Sequence, residues 1–171
     1  MSHEPHPADS VGRALGLLCD LSAAIGGVIL VAMACMTVVS VVGRAFFSHP
    51  ILGDVELVQL GCAVVVAAFL PYAQFRRANI IVDFFTTGAS VHTQRRMDAF
   101  GTLLYTLVMA LLCWRVAVGG MDIRTSGESS MLMNLPLWIP YALMVPGLAL
   151  CAVIGAYQTV HQLRVQPGVL A

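Results

Sequence analysis

Four apolar runs dominate this chain, and each is long enough to form a membrane-spanning helix. The first, residues 23–42, contains twenty residues without a charge. At a rise of 1.5 Å per residue such a helix is about 30 Å long, which matches the hydrocarbon thickness of a bilayer. The other runs are residues 55–73, 100–119 and 137–157. The chain is 11% charged, against roughly 25% in soluble domains. The sequence therefore predicts an all-α integral membrane protein with four transmembrane helices.

Two shorter segments are typical of interfacial amphipathic helices. Residues 10–20 place Leu15 and Leu18 along one side, and residues 80–85 (IIVDFF) are too short to span a bilayer and too apolar to remain in water. We therefore expect a cytoplasmic tail with an interfacial helix over residues 1–22, a four-span membrane domain over residues 23–158, and a cytoplasmic tail over residues 159–171.

The arginines predict the orientation in the membrane, because arginine-rich short connections stay on the cytoplasmic side. The N-terminal tail, the middle connection and the C-terminal tail hold Arg13, Arg76, Arg77, Arg95, Arg96 and Arg164. The opposite side holds Arg44, Arg115 and Arg124. Both termini are therefore predicted to be cytoplasmic, with the Trp114–Arg115 pair close to the outer interface, where the arginine side chain can extend to water.

Several functional classes are excluded by residue type and spacing. A net charge of zero argues against nucleic-acid binding. The five cysteines are widely spaced, so the sequence contains no disulfide framework and no C-x-x-C motif. The five histidines lie in tails or loops, whereas a membrane haem anchor needs them inside the bilayer. We predict no metal, no cofactor, no catalytic residue and no enzymatic activity.

Three motifs in a fixed order resemble a known family. Arg44 closes the first span, and Glu56 opens the second span twelve residues later. Residues 76–83 read RRANIIVD, and a loop with two serines at 129–130 leads into LPLWIPY at residues 135–141. Together these resemble the small membrane (Q-type) subunit of tripartite ATP-independent periplasmic (TRAP) transporters over most of the chain. The chain departs from that pattern at Gly53 and Val55, where the family often has a tryptophan and a second acid, and at Asn79, where it often has histidine.

The resemblance implies a small accessory permease subunit in a bacterial inner membrane. Its partners would be the large TRAP membrane subunit, which it would scaffold, and a periplasmic substrate-binding protein. Together they would take up carboxylate-type solutes by ion-gradient-driven symport. The alternative is a four-helix scaffold or anchor subunit of another membrane complex. No substrate-binding residue can be named, and the candidates for structural or partner contacts are Arg44, Glu56, Arg76, Arg77, Asn79, Asp83, Gly147, Cys151 and Gly155.

For two groups of these candidate residues we expect specific contacts. Gly147, Cys151 and Gly155 recur every four residues, and a stripe of small residues lets helices approach closely in lipid. We expect this stripe to pack against another helix. Arg44 and Glu56 should meet at the outer rim and form an ion pair, because a tight antiparallel connection brings the end of the first span level with the start of the second.

Overall fold

The computed structural model describes residues 10–47, 52–76 and 91–164, and these residues form four helices. The helices are α1 (Ser10–Phe47), α2 (Asp54–Phe75), α3 (Val91–Ser126) and α4 (Trp138–Arg164). Each contains a stretch long and apolar enough to cross a membrane. The prediction of an all-α, four-span membrane protein is confirmed.

The helices form an open row and not a closed bundle. α1 packs on α2, α2 on α4, and α4 on α3, so that α2 and α4 are central and α1 and α3 lie at the two edges. No residue in the most apolar stretch of α3 is buried within the described part of the chain. Within the described residues, no further helix covers the faces or the two edges of the row.

The N-terminal segment differs from the expectation of a separate interfacial helix. Residues 10–22 continue without a break into the first span, as one helix of 38 residues. The reason is tertiary packing: Leu15 and Cys19 are buried in a cluster with Ile154 of α4, against Tyr72 and Phe75 of α2. The second expected interfacial segment, residues 80–85, lies outside the described residues.

The end of α3 also differs from the sequence interpretation. The helix continues past Gly119 to Ser126 and ends where Gly127 adopts a left-handed conformation (φ 70°). There the Gly127 N–H donates to the Ile123 carbonyl over 3.1 Å, as is usual at a helix C-terminus. Since the helix is longer than expected, Arg115 lies well inside it and not close to its end.

The central contact of the row is the crossing of α2 and α4. Pro71 lies inside α2 and is buried. Because proline has no N–H, it cannot donate to the carbonyl four residues earlier, which belongs to Ala67. That carbonyl faces Gly147 of α4, and a Cβ at position 147 would overlap it. The glycine therefore lets α4 approach a carbonyl that its own helix leaves unpaired.

The stripe of small residues on α4 lies within the subunit. Besides the contact of Gly147 with α2, a Cβ at Gly155 would overlap the Thr106 hydroxyl of α3. Cys151, between the two glycines, is fully buried. The same stripe of α4 thus packs against both α2 and α3.

Polar side chains also join the helices at the end of the row where α1 begins and α4 ends. Gln74 Nε2 donates to Gln158 Oε1 over 3.0 Å, and Gln158 Nε2 donates back to the Gln74 carbonyl over 3.1 Å. Farther from this end, Ser22 of α1 donates to the Ala68 carbonyl of α2 over 2.8 Å. Both glutamines are buried, so these bonds satisfy amide groups that would be costly to leave unpaired in an apolar environment.

We expect Gly147→Ala to destabilise the subunit, because the added methyl group would overlap the backbone of α2 and cannot be accommodated by a side-chain rotation. Overpacking of this kind typically costs about 1–3 kcal/mol. The matched control is Gly27→Ala, where a Cβ meets nothing within 4 Å. The measurement is thermal unfolding of the purified subunit in detergent, and equal midpoints for the two variants would contradict the close α2–α4 contact.

Candidate partner-binding site

The candidate site is the loop end of the row, defined as the end where α1 and α3 finish and α2 and α4 begin. It comprises the described residues 44–47 and 52–57 together with the loop 127–137. Two carboxylates at the start of α2, Asp54 and Glu56, organise it, and they do so toward different neighbours.

Asp54 binds α1. The Ser40 hydroxyl donates to Asp54 Oδ2 over 2.5 Å, and Arg44 Nη2 lies 3.6 Å from the same oxygen. Asp54 Oδ1 accepts the Val55 N–H over 2.8 Å. A carboxylate in the first turn of a helix is also favoured by the helix dipole. Asp54 therefore fixes the start of α2 against the end of α1.

The expected ion pair between Arg44 and Glu56 is not what the described residues form; Arg44 pairs with Asp54. The reason is helix geometry, because two residues correspond to about 200° of rotation around a helix with 3.6 residues per turn. With Asp54 directed at α1, Glu56 is directed away from it.

The ion pair itself is weak, since the Arg44 side chain is 63% exposed. An exposed pair contributes about 0–1 kcal/mol. The stronger link is the hydrogen bond from Ser40, which is fully buried, because a hydrogen bond to an ionised group is stronger than one between neutral groups. Neither Ser40 nor Asp54 is among the candidate residues that the sequence motifs indicate.

Glu56 binds the loop between α3 and α4. Its Oε1 accepts the Met131 N–H over 3.0 Å, and its Oε2 accepts the Met133 N–H over 3.3 Å. Ser130, which directly precedes Met131, is buried. A single side chain of α2 thus holds two backbone groups of a loop more than seventy residues away in the sequence.

The loop has a defined shape of its own. The Ser130 N–H donates to the Leu135 carbonyl over 2.8 Å, and the Asn134 N–H donates to the Ser130 carbonyl over 3.2 Å. Asn134 adopts a left-handed conformation (φ 55°), and its Oδ1 accepts the Ser129 hydroxyl over 2.6 Å. The serines noted in the sequence therefore close a turn.

The two connections at the loop end touch each other at Gly53. This glycine precedes α2 in a left-handed conformation (φ 79°) and is buried beneath Met133, whose side chain a Cβ would overlap. Around this contact, Leu52 and Met131 are among the most exposed apolar side chains of the described chain. The loop end is therefore one continuous surface, with an apolar centre beside the exposed guanidinium of Arg44.

The remaining candidate residues are not part of this surface. Arg76 lies at the opposite end of the row, where its guanidinium stacks 5.3 Å from the centre of the Tyr72 ring. Arg77, Asn79 and Asp83 lie outside the described residues. Gly147, Cys151 and Gly155 are internal packing positions, as described above.

The described residues contain no group of His, Cys, Asp and Glu that could hold a metal ion. None of their charged side chains is buried between helices. Four helices of spanning length, packed side by side in an open row, define a multi-pass membrane subunit.

Comparison with protein families specifies the class. Residues 33–165 match the family described as "Tripartite ATP-independent periplasmic transporters, DctQ component". The match covers most of the chain, including all of α2, α3 and α4 and the loop end. The chain belongs to this family, the small membrane component of TRAP transporters, as its sequence motifs predicted. No curated protein and no solved structure gives a significant match.

We expect Glu56→Gln to loosen the loop 127–137 without unfolding the helices. The amide keeps the size of the side chain, but its NH2 group cannot accept a backbone N–H, so at least one of the two bonds is lost. The measurement is hydrogen exchange at Met131 and Met133, which should become faster. Asp122→Asn, an exposed acid of α3, is the control and should leave exchange unchanged. Unchanged exchange in Glu56→Gln would show that the carboxylate does not hold the loop.

Proposed function

We propose that this chain is the small accessory permease subunit of a TRAP-type secondary transporter and scaffolds the large transport subunit for ion-gradient-driven uptake of carboxylate-type solutes. The observation that carries the proposal is the family match over residues 33–165. The large subunit moves the solute, and a periplasmic substrate-binding protein delivers it.

The architecture supports an accessory role. Sites for charged solutes or coupling ions inside a membrane usually need ionisable side chains or broken helices directed at a shared interior. The described part of this chain has four continuous helices and no charged side chain buried between them. A row of helices with open edges is instead suited to packing against a larger membrane protein.

The test is transport by the reconstituted system. The large subunit and the binding protein encoded with this chain would be combined in proteoliposomes with and without it, and uptake of radiolabelled carboxylates would be followed under an imposed sodium or proton gradient. Uptake should require this chain and should stop when the gradient is collapsed. Full uptake without the chain would refute the scaffold function, and co-purification with redox subunits would favour the alternative anchor role.

We also propose that the protein lies in the inner membrane with both termini in the cytoplasm and the loop end in the periplasm. Supporting it, the described arginines at the loop end, Arg44 and Arg124, are fewer than those assigned to the opposite side from the sequence. Alkaline phosphatase, which is active only in the periplasm, should be active when inserted after Gly127 and inactive when fused to Ala171. The reverse pattern would mean that the orientation is inverted.

A further inference from the structure

Arg115 is a charged residue on an open surface of α3, inside the stretch that crosses the membrane. Its side chain is exposed, and none of the described acids pairs with it. The spanning stretch of α3 runs from Phe100 to Ser126, so Arg115 has more than ten residues of helix on either side.

Contacts between the helices place Arg115 at the middle of the membrane. Gly120 lies against Tyr141, and Thr106 lies against Gly155, so the antiparallel register of α3 and α4 sets Arg115 level with Gly147. That glycine contacts Ala67, which lies near the middle of the 22-residue helix α2.

The distance to the loop end is consistent with this depth. Arg124 stacks 5.2 Å from the centre of the Trp138 ring where α4 begins, and such a pair is typical of an interface. Arg115 precedes Arg124 by nine residues, or about 13 Å of helix. The hydrocarbon layer is about 30 Å thick, so Arg115 lies close to its midplane.

The side chain cannot easily reach water from this position. Cα–Cβ bonds of a helix tilt toward its N-terminus, so the Arg115 side chain is directed away from the nearer, loop end. In the other direction the remaining distance to the interface is greater still. A lone charge at this depth is costly, and arginines there face a protein interior and pair with a partner.

The surroundings of Arg115 match a protein contact. It lies on the side of α3 opposite to α4, in line with Leu104, Val108 and Leu111, which are 54%, 45% and 63% exposed. These four residues form what we call the α3 edge face. It is an apolar helix surface with one cation at the side nearer the loop end, and it borders no other described helix of the subunit.

We propose that the α3 edge face binds a transmembrane helix of the large transport subunit, and that Arg115 forms an ion pair there with a carboxylate of that helix. This inference rests on the proposed function, since it names where the partner binds. An acidic side chain at mid-membrane in the partner is equally costly alone, so the pair forms only in the correct complex and in one register.

A second copy of this chain is a poorer occupant of the face. In a two-fold dimer about Arg115 the same surface would meet itself, so two arginines would approach each other in a medium that screens charge weakly. A hydrocarbon chain of a lipid is poorer still, because it offers no counter-charge. The large subunit is the partner that can supply a carboxylate as the counter-charge for Arg115.

The experiment compares Arg115→Leu with Arg124→Leu in the tagged two-subunit complex, reading the amount of large subunit that co-purifies. Arg124 lies on the side of α3 that faces α4, so it is the matched control. Arg115→Leu should reduce co-purification at least tenfold, and Arg124→Leu should not. Expressed without the large subunit, Arg115→Leu should reach wild-type membrane levels and an unchanged or higher unfolding temperature, because an unpaired charge is removed from an apolar surface.

A photo-crosslinking amino acid at Leu111, one turn from Arg115, identifies what covers the face, and it should label the large subunit. Wild-type co-purification by Arg115→Leu, failure of that variant to fold alone, or labelling only of lipid or of a second copy would each overturn the inference. Failure of the wild-type chain itself to co-purify with the large subunit would instead refute the proposed function, so the two failures are distinguishable.

Discussion

The arrangement of the four helices depends on one backbone carbonyl. In lipid every peptide group needs a partner inside the protein, and Pro71 removes the usual donor for the Ala67 carbonyl. α4 approaches that carbonyl at Gly147, whose N–H belongs to its own helix, so that only Cα hydrogens can face the carbonyl. Contacts of this type are weakly favourable. The approach requires a residue without a side chain, and the same α4 stripe continues through Cys151 to Gly155 at α3. The position of α4 relative to both neighbours follows from this contact.

The four helices can be predicted from the sequence, but the residues at which they begin and end cannot. Length and hydropathy identify four spans because lipid allows few alternatives to a continuous helix. They do not reveal that residues 10–22 belong to α1, since that depends on Leu15 and Cys19 packing against distant helices. They also do not locate the end of α3. The Gly119–Gly120 pair does not break the helix, and the helix ends where Gly127 adopts a left-handed conformation. For the same reason length and hydropathy do not show that Arg115 lies well inside α3.

At the loop end the sequence indicates some of the residues but not the contacts that they make. The motif singles out Arg44 and Glu56, and both lie at the loop end. Pairing them by opposite charge and equal depth takes no account of the directions of their side chains, and Arg44 pairs with Asp54. A helix that begins at Asp54 sends Asp54 and Glu56 to different sides. If the first residue of α2 were known, the sequence would indicate Asp54 as the residue that contacts α1. The contacts of Glu56 could not be found in this way, because its acceptors are satisfied by backbone N–H groups, which every loop has and no side-chain pattern reveals.

The order of packing has a consequence for how the subunit is assembled. Since α1 pairs with α2 and α3 pairs with α4, the chain consists of two antiparallel hairpins, and each can enter the membrane as a unit with its own neighbour already in place. The hairpins meet mainly along α2 and α4. We therefore expect assembly to be the lateral docking of the two hairpins. The Ala67 carbonyl lies at their contact, and Glu56 and the Gln74–Gln158 bonds join them toward the two ends. The described helices thus meet along one internal interface, which resembles the interface of a dimer except that its two halves belong to the same chain.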